Sequence, residues 1–285
     1  MPGSVRRFAC TRCGKCCNRA PEVELSEAAA LSDVFVFRLM FRVYRFPREF
    51  DPERFETAQD FYARKRLLNA HAARVSRKKL MRDGRAIDYV DYLMMSALSV
   101  DTTPGSCAAL HSSNCSIYER RPLACRTVPF HYSRSDASAE HDLDLFLATP
   151  GYHCNDGESA PIVIENGTIV DPSARAARKE ALAIVERDVP WKRAILRAMK
   201  ISTDGSLPRP EDVEAHAAFG AMTTSMRVAW QIASEAGLMR PEECAELLKT
   251  QLATIDREIN SDLVTGDERQ TLGEMKAEYW RALGA

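Results

Sequence analysis

The chain has no long uninterrupted apolar run. Its most membrane-like stretch, Ala28 to Tyr44, is broken by Asp33, Arg38 and Arg42, charges that are costly at the centre of a bilayer. It reads as a buried helix rather than a span. No apolar segment follows Arg6 and Arg7, so no secretory signal is expected and the first residues should be retained. Net charge is nearly absent: 39 basic and 40 acidic residues leave -1, which gives no global argument for binding nucleic acid or a membrane. The sequence also lacks Gly-x-Gly-x-x-Gly, a Walker phosphate loop, Gly-x-Ser-x-Gly and His-Glu-x-x-His. Nucleotide-dependent, serine-hydrolase and zinc-protease chemistry therefore miss their usual support. Internal repeats and low-complexity segments are absent too.

What the chain does have is cysteine: nine in 285 residues, within a composition (45% hydrophobic, 28% charged) ordinary for a soluble protein. A chain of this length can bury one large core or two modest ones, so smallness does not force dependence on a metal. Without an export signal the thiols are expected in a reducing compartment, the cytoplasm, where clustered cysteines serve as metal ligands or redox groups. Their odd number argues against a fully paired disulfide framework. Eight fall in two groups, at 10–17 and 107–154, and the ninth, Cys244, sits alone in a helical pattern as a small buried residue.

The first group, Cys10-Thr-Arg-Cys13-Gly-Lys-Cys16-Cys17, places four thiols within eight residues. Thiolates are soft donors that suit zinc and iron–sulfur clusters, and two-residue spacers let a tight turn aim successive sulfurs at one point. Gly14 eases that turn, and Lys15 offsets thiolate charge. A redox-active pair would need two cysteines rather than four, whereas a purely structural metal knuckle is a stronger rival. The side chains of Cys16 and Cys17, being neighbours, tend to diverge, so one of the pair is expected to bind a different metal or to stand outside the coordination sphere.

The second group runs Cys107-Ala-Ala-Leu-His-Ser-Ser-Asn-Cys115-Ser-Ile-Tyr-Glu-Arg-Arg-Pro-Leu-Ala-Cys125-Arg-Thr-Val-Pro-Phe130, followed by Gly151-Tyr-His-Cys154-Asn-Asp-Gly157. With the first group it resembles the YkgJ-type cysteine-cluster family, also described as the CxxCxxCC zinc- or iron-chelating family. Phe8, Cys10, Cys13, Gly14, Cys16, Cys17, Cys115, Ile117, Tyr118, Glu119, Arg121, Pro122, Cys125, Arg126, Pro129 and Phe130 carry the resemblance, which covers about the first 160 residues. Two departures stand out: Thr127-Val128 where the family has an aromatic near the proline, and Cys154-Asn-Asp-Gly157 in place of Cys-Pro-Gly. The candidate ligands are Cys10, Cys13, Cys16, Cys17, Cys107, Cys115, Cys125 and Cys154. Pro122 would rigidify the returning turn, and Tyr118 would pack its ring while keeping its hydroxyl wet. Arg121 and Arg126 would donate to carbonyls, sulfurs or an anion, or form salt bridges with Glu119 or another carboxylate.

His111, His131, His141 and His153 lie near the second group but read as surface or supporting residues, with His153, beside Cys154, the best exception. Nine basic residues between Arg64 and Arg85 read as a solvated helix face, and aromatics are too scarce after Tyr62 for single-strand recognition.

Eight thiolates exceed the four that one tetrahedral zinc or one [4Fe–4S] cluster needs. Either two centres exist or some cysteines are spare; the first choice is an iron–sulfur cluster held mainly by the first group with help from the second, with zinc the alternative. Three functional classes follow: a metal-binding protein whose centre holds the fold or carries metal and electrons, a metal-dependent enzyme, or a zinc-stabilised interaction module. For the second, a distant similarity to flagellin lysine N-methylases, which also combine a Cys-Cys motif with later cysteines, implies a protein lysine N-methylase-like S-adenosylmethionine methyltransferase. A protein or small molecule would be the partner. The expected architecture is α+β and mostly helical, with a small cysteine-rich metal-centred core. A cysteine-cluster domain over 1–171 carries a helical insertion at about 21–100, and helices fill 172–285. Glu22–Phe46 reads as a helix capped by Ser26, with an apolar stripe through Leu31, Val34, Phe35, Leu39 and Val43. Asp51–Arg82 reads as a second helical region and Ile87–Val100 as a strand. Ile162–Val170 reads as a hairpin about Asn166-Gly167, and helices are expected from Pro172, Pro210 and Pro241 with breaks at Gly205, Gly237 and Gly266.

Overall fold

A computed structural model of the chain describes residues 4–100 and 106–284. Met1 to Gly3, the start of the stretch read as lacking an export signal, lie outside the described residues. Helix accounts for 44% and strand for 21%, an α+β fold with more helix than strand, as expected. Cα packing divides the chain into two compact units, each assembled from three stretches. The first comprises Met1–Cys17, Arg45–Tyr92 and Leu110–Glu186, the second Asn18–Tyr44, Leu93–Ala109 and Arg187–Ala285.

In the first unit, strand Val5–Arg7 runs antiparallel to Ile162–Glu165, which turns back into Thr168–Ile169. The expected hairpin forms, because Asn166 (φ 52°) and Gly167 (φ 71°) accept the left-handed conformations its tight turn demands. Beneath it, Phe8, Phe130, Leu143, Val163, Ile164 and Ile169 form one buried apolar cluster, with Cys154 and Phe146 packed at its edge. Elsewhere in this unit the helix Ala58–His71 is capped by Thr57, whose hydroxyl accepts from the Asp60 N–H at 3.1 Å. Phe46, Phe55 and Phe61 pack on one another with centroids 5.1–5.2 Å apart.

The helical reading of Asp51–Arg82 holds only for that helix, since Ala73–Arg82 is a strand. The charges decide the difference. Ser76 and Lys78 reach the fully buried Asp91, Arg82 reaches Asp51, and Arg77, Lys79 and Met81 between and beyond them are exposed. That is a two-residue period, not 3.6. Asp83-Gly84, both at positive φ, turn this strand into Arg85–Ser99, the strand expected near Ile87–Val100.

In the second unit the reading of Glu22–Phe46 as one helix is corrected. It contains strand Glu22–Val23, a six-residue helix Leu25–Ala30 and the start of the long strand Phe37–Pro47. Phe37, Leu39 and Phe41 are fully buried at alternate positions, so the apolar residues that also fit a helical stripe are taken up by a sheet. Glu24, rather than Ser26, begins the short helix, its N–H donating to the Glu27 carboxylate at 3.3 Å. The sheet order is Met222–Ser225, Phe37–Pro47, Arg85–Ser99, Glu22–Val23, with Met222 opposite Phe41 and Glu22 opposite Leu98.

Gln251, without solvent exposure, fixes the entry to the long strand. It accepts from the Phe37 N–H at 3.1 Å and donates to the carbonyls of Phe35 at 2.9 Å and Ser32 at 3.2 Å. Helices begin at Pro172, Pro210 and Pro241 as expected, with Gly205 and Gly237 between helices. Gly266 instead opens the last helix, Gly266–Ala282, behind Thr265, whose N–H and hydroxyl both reach Glu268. Cys244 is buried in helix Pro241–Ile259, as read from its surroundings. Among the described residues no helix is long and apolar enough to cross a membrane.

Candidate metal centre

The first cysteine motif has almost no regular structure of its own and is held by its neighbours. The antiparallel pairing begun by Val5–Arg7 continues as a bridge in which Ala9 N–H donates to Asn155 O (2.7 Å) and Asn155 N–H to Ala9 O (3.0 Å). Phe8 N–H donates to Pro161 O at 3.1 Å, and the Thr11 hydroxyl donates to the His153 carbonyl at 2.6 Å. Cys10 and Cys154 therefore each flank the same short ladder. The apolar cluster anchors it from below, through Phe8 against Phe146 (5.9 Å) and Phe146 against Tyr152 (4.9 Å).

Within the motif, Arg12 (φ 58°) and Gly14 (φ 71°) are left-handed on either side of Cys13, and they coil the backbone so that its N–H groups face sulfur. Arg12 N–H donates to Cys10 Sγ at 3.4 Å, and Cys17 N–H closes a turn onto Gly14 O at 3.0 Å. Gly14 is required for a second reason: a Cβ there would lie 3.0 Å from both Leu110 Cδ1 and Ser113 O. The hairpin Leu110–His111/Asn114–Cys115 packs directly against it.

The electrostatics single out four sulfurs. Hydrogen bonding from the Lys15 N–H, ahead of contributions from the His153 N–H and Thr11, holds the Cys13 thiol below its ordinary value. Cys16 is lowered to about 6, first by a hydrogen bond from the Cys17 thiol, with its own backbone and Arg121 assisting. Cys154 is raised to about 11, by burial first and then by the charges of Cys10, Cys13 and Cys16. The charges of Cys10, Cys13 and Cys16 all act on Cys154, and a cation among these thiols would turn that repulsion into attraction. All nine cysteines are described and none forms a disulfide. Among the described residues, no three His, Cys, Asp or Glu side chains converge into a ready-made metal site. The donor chemistry nevertheless suits a thiophilic metal: soft sulfurs, two of them with lowered pKa, in a loop lined with N–H groups.

The rest of the second group lies nearby in sequence order. Cys115 ends the small hairpin, and Cys125 sits in the turn of helix Leu123–Arg126, where Pro122 O accepts from the N–H of Cys125 (2.8 Å) and Arg126 (3.0 Å). Cys107 belongs to the second unit. Arg126 grips Glu180 with two hydrogen bonds of 3.2 and 2.7 Å, the salt-bridge role weighed for it. Arg121 Nε donates to Tyr118 O at 2.8 Å, and its guanidinium lies 3.7 Å from the Tyr118 ring centre, while that of Arg12 lies 3.9 Å from the same ring. His153 contributes backbone groups rather than its exposed ring. Reading the sequence overlooked Thr11, Arg12 and Asn155. Thr11 and Asn155 adjoin recognised cysteines, but nothing in the spacing announces that they bond across the chain.

A family model described as "Putative zinc- or iron-chelating domain" matches residues 9–154, a span that begins at Ala9, ends on Cys154 beside Asn155 and takes in both cysteine groups. No curated protein and no solved structure matches the chain.

Proposed function

The chain belongs to the CxxCxxCC family, and from that premise we propose that it is a metal-binding protein carrying one thiolate-held centre, a [4Fe–4S] cluster, on Cys10, Cys13, Cys16 and Cys154. The observation that supports this reading is the backbone ladder that sets Cys154 beside Cys10, with the charges of Cys10, Cys13 and Cys16 all reaching the Cys154 thiol. Three cysteines at two-residue spacing with a fourth supplied from elsewhere is the ligand arrangement of bacterial-type iron–sulfur sites. Cys17 takes a supporting role, donating its hydrogen bond to Cys16, which relieves the geometric conflict of two adjacent ligands. A bound cluster would supply one-electron chemistry or a rigid structural node, while the surrounding N–H groups stabilise charge on sulfur. A single zinc ion is the second reading, favoured by the same compact four-thiol locality.

The test is anaerobic purification without chelators, followed by iron, acid-labile sulfide and zinc per chain and a visible spectrum. Iron matched by sulfide supports the cluster, and one zinc without sulfide replaces it with the second reading. Metal-free, well-folded protein overturns both. Alanine at Cys10, Cys13, Cys16 or Cys154 should abolish metal retention, with Cys244→Ala as the unaffected control. If Cys154→Ala retains full metal while Cys125→Ala loses it, the assignment of Cys154 is wrong.

A further inference from the structure

We infer that Arg12 and Arg121 are the counter-charges of the loaded centre and that Tyr118 is the residue that positions them; the inference rests on the reading of the thiol locality as a metal centre. Both guanidinium groups lie over the one Tyr118 ring, at 3.9 and 3.7 Å from its centre. Stacking two like charges on one side chain is unfavourable unless negative charge is close by. Yet among the described residues neither arginine forms an ion pair with a carboxylate, whereas Arg126, five residues beyond Arg121, is committed to Glu180.

Both arginines adjoin thiols of the first motif. Arg12 lies between Cys10 and Cys13, and its own N–H donates to Cys10 Sγ at 3.4 Å. The charge of Arg121 reaches Cys16. Four thiolates around a dicationic metal or cluster core leave a net charge of about -2, which two guanidinium groups match.

The backbone supports the assignment. Arg12 occupies a left-handed conformation (φ 58°) that a non-glycine residue adopts at some cost, and the cost is offset because this conformation points its N–H at sulfur while its side chain reaches Tyr118. Arg121 is fixed from the other end by its 2.8 Å bond to Tyr118 O. The aromatic face fixes the direction of each guanidinium without consuming its hydrogen-bond donors, which a carboxylate partner would do. Tyr118 is thus a positioning residue that acts through the two arginines.

The experiment measures metal transfer from the purified full-length holoprotein to a chelator at low and high salt, with the thiolate absorption recorded to follow the donor set and circular dichroism to verify folding. Arg12→Ala and Arg121→Ala should each speed metal loss by on the order of 10-fold with unchanged starting absorption, and the gap from wild type should narrow in high salt. Lysine at either position should restore most of the retention. Tyr118→Phe should behave as wild type and Tyr118→Leu should lose metal at least as fast as either arginine variant. Wild-type release rates in the arginine variants, or a defect equal for lysine and alanine and indifferent to salt, would overturn the counter-charge role. If the wild-type chain itself holds no metal, the metal-centre reading fails instead, a result distinguishable before any variant is made.

Discussion

Ala9 and Asn155 exchange backbone hydrogen bonds of 2.7 and 3.0 Å, and through this one pair the chain beside the cysteine that opens the pattern is joined to the chain beside the cysteine that closes it. The ladder rests on an apolar cluster rather than on metal. The backbones beside Cys10 and Cys154 are therefore expected to be paired before any ion arrives, so that binding has less chain to order.

Gly14 tests how tightly the first motif is seated. Its φ of 71° disfavours any side chain, and a Cβ would press on Leu110 and on the Ser113 carbonyl, both at 3.0 Å. Gly14→Ala should destabilise the fold by about 1–3 kcal/mol and weaken metal retention, read by thermal melting and metal analysis of the same sample. An alanine variant as stable as wild type would show that the small hairpin does not bear on the motif.

The thiols should titrate apart in metal-free protein. The thiolate is the reactive form, so Cys16, lowered to about 6, should be alkylated readily at pH 7.5, while Cys154, raised to about 11, stays protonated and unreactive. Mass spectrometry after a brief iodoacetamide pulse at a series of pH values reads both sites. On the proposed ligand set, metal binding displaces the Cys154 proton, so affinity should rise with pH across the neutral range. Equal labelling of the two cysteines at pH 7.5 would contradict the arrangement described.

Gln251 should prove the most sensitive polar residue of the second unit. Gln251→Leu matches its bulk but leaves the Phe37 N–H without its acceptor and removes the donor to the Phe35 and Ser32 carbonyls. Burying such groups unpaired costs about 1–3 kcal/mol each, so a fall of at least about 2 kcal/mol in urea unfolding is expected. A change within 0.5 kcal/mol, roughly the level of an ordinary surface substitution, would mean that the strand entry finds other partners.

The sequence by itself determined what is local. Cysteine chemistry and spacing marked the metal-binding motif and its family. Asn166-Gly167 determined a hairpin because those two residues tolerate the conformations the turn requires, and Pro172, Pro210 and Pro241 opened helices because proline suits a first helical turn.

Only the tertiary structure decided what depends on distant partners. Phe37, Leu39 and Phe41 became strand rather than helix because a sheet and the buried Gln251, more than two hundred residues away, accept their backbone. The same holds at the site. Cys154 joined the first motif through hydrogen bonds between peptide groups, which every residue carries and no composition reveals. Arg12 and Arg121, far apart in the chain, were brought onto the one Tyr118 ring, a meeting that no spacing in the sequence announces.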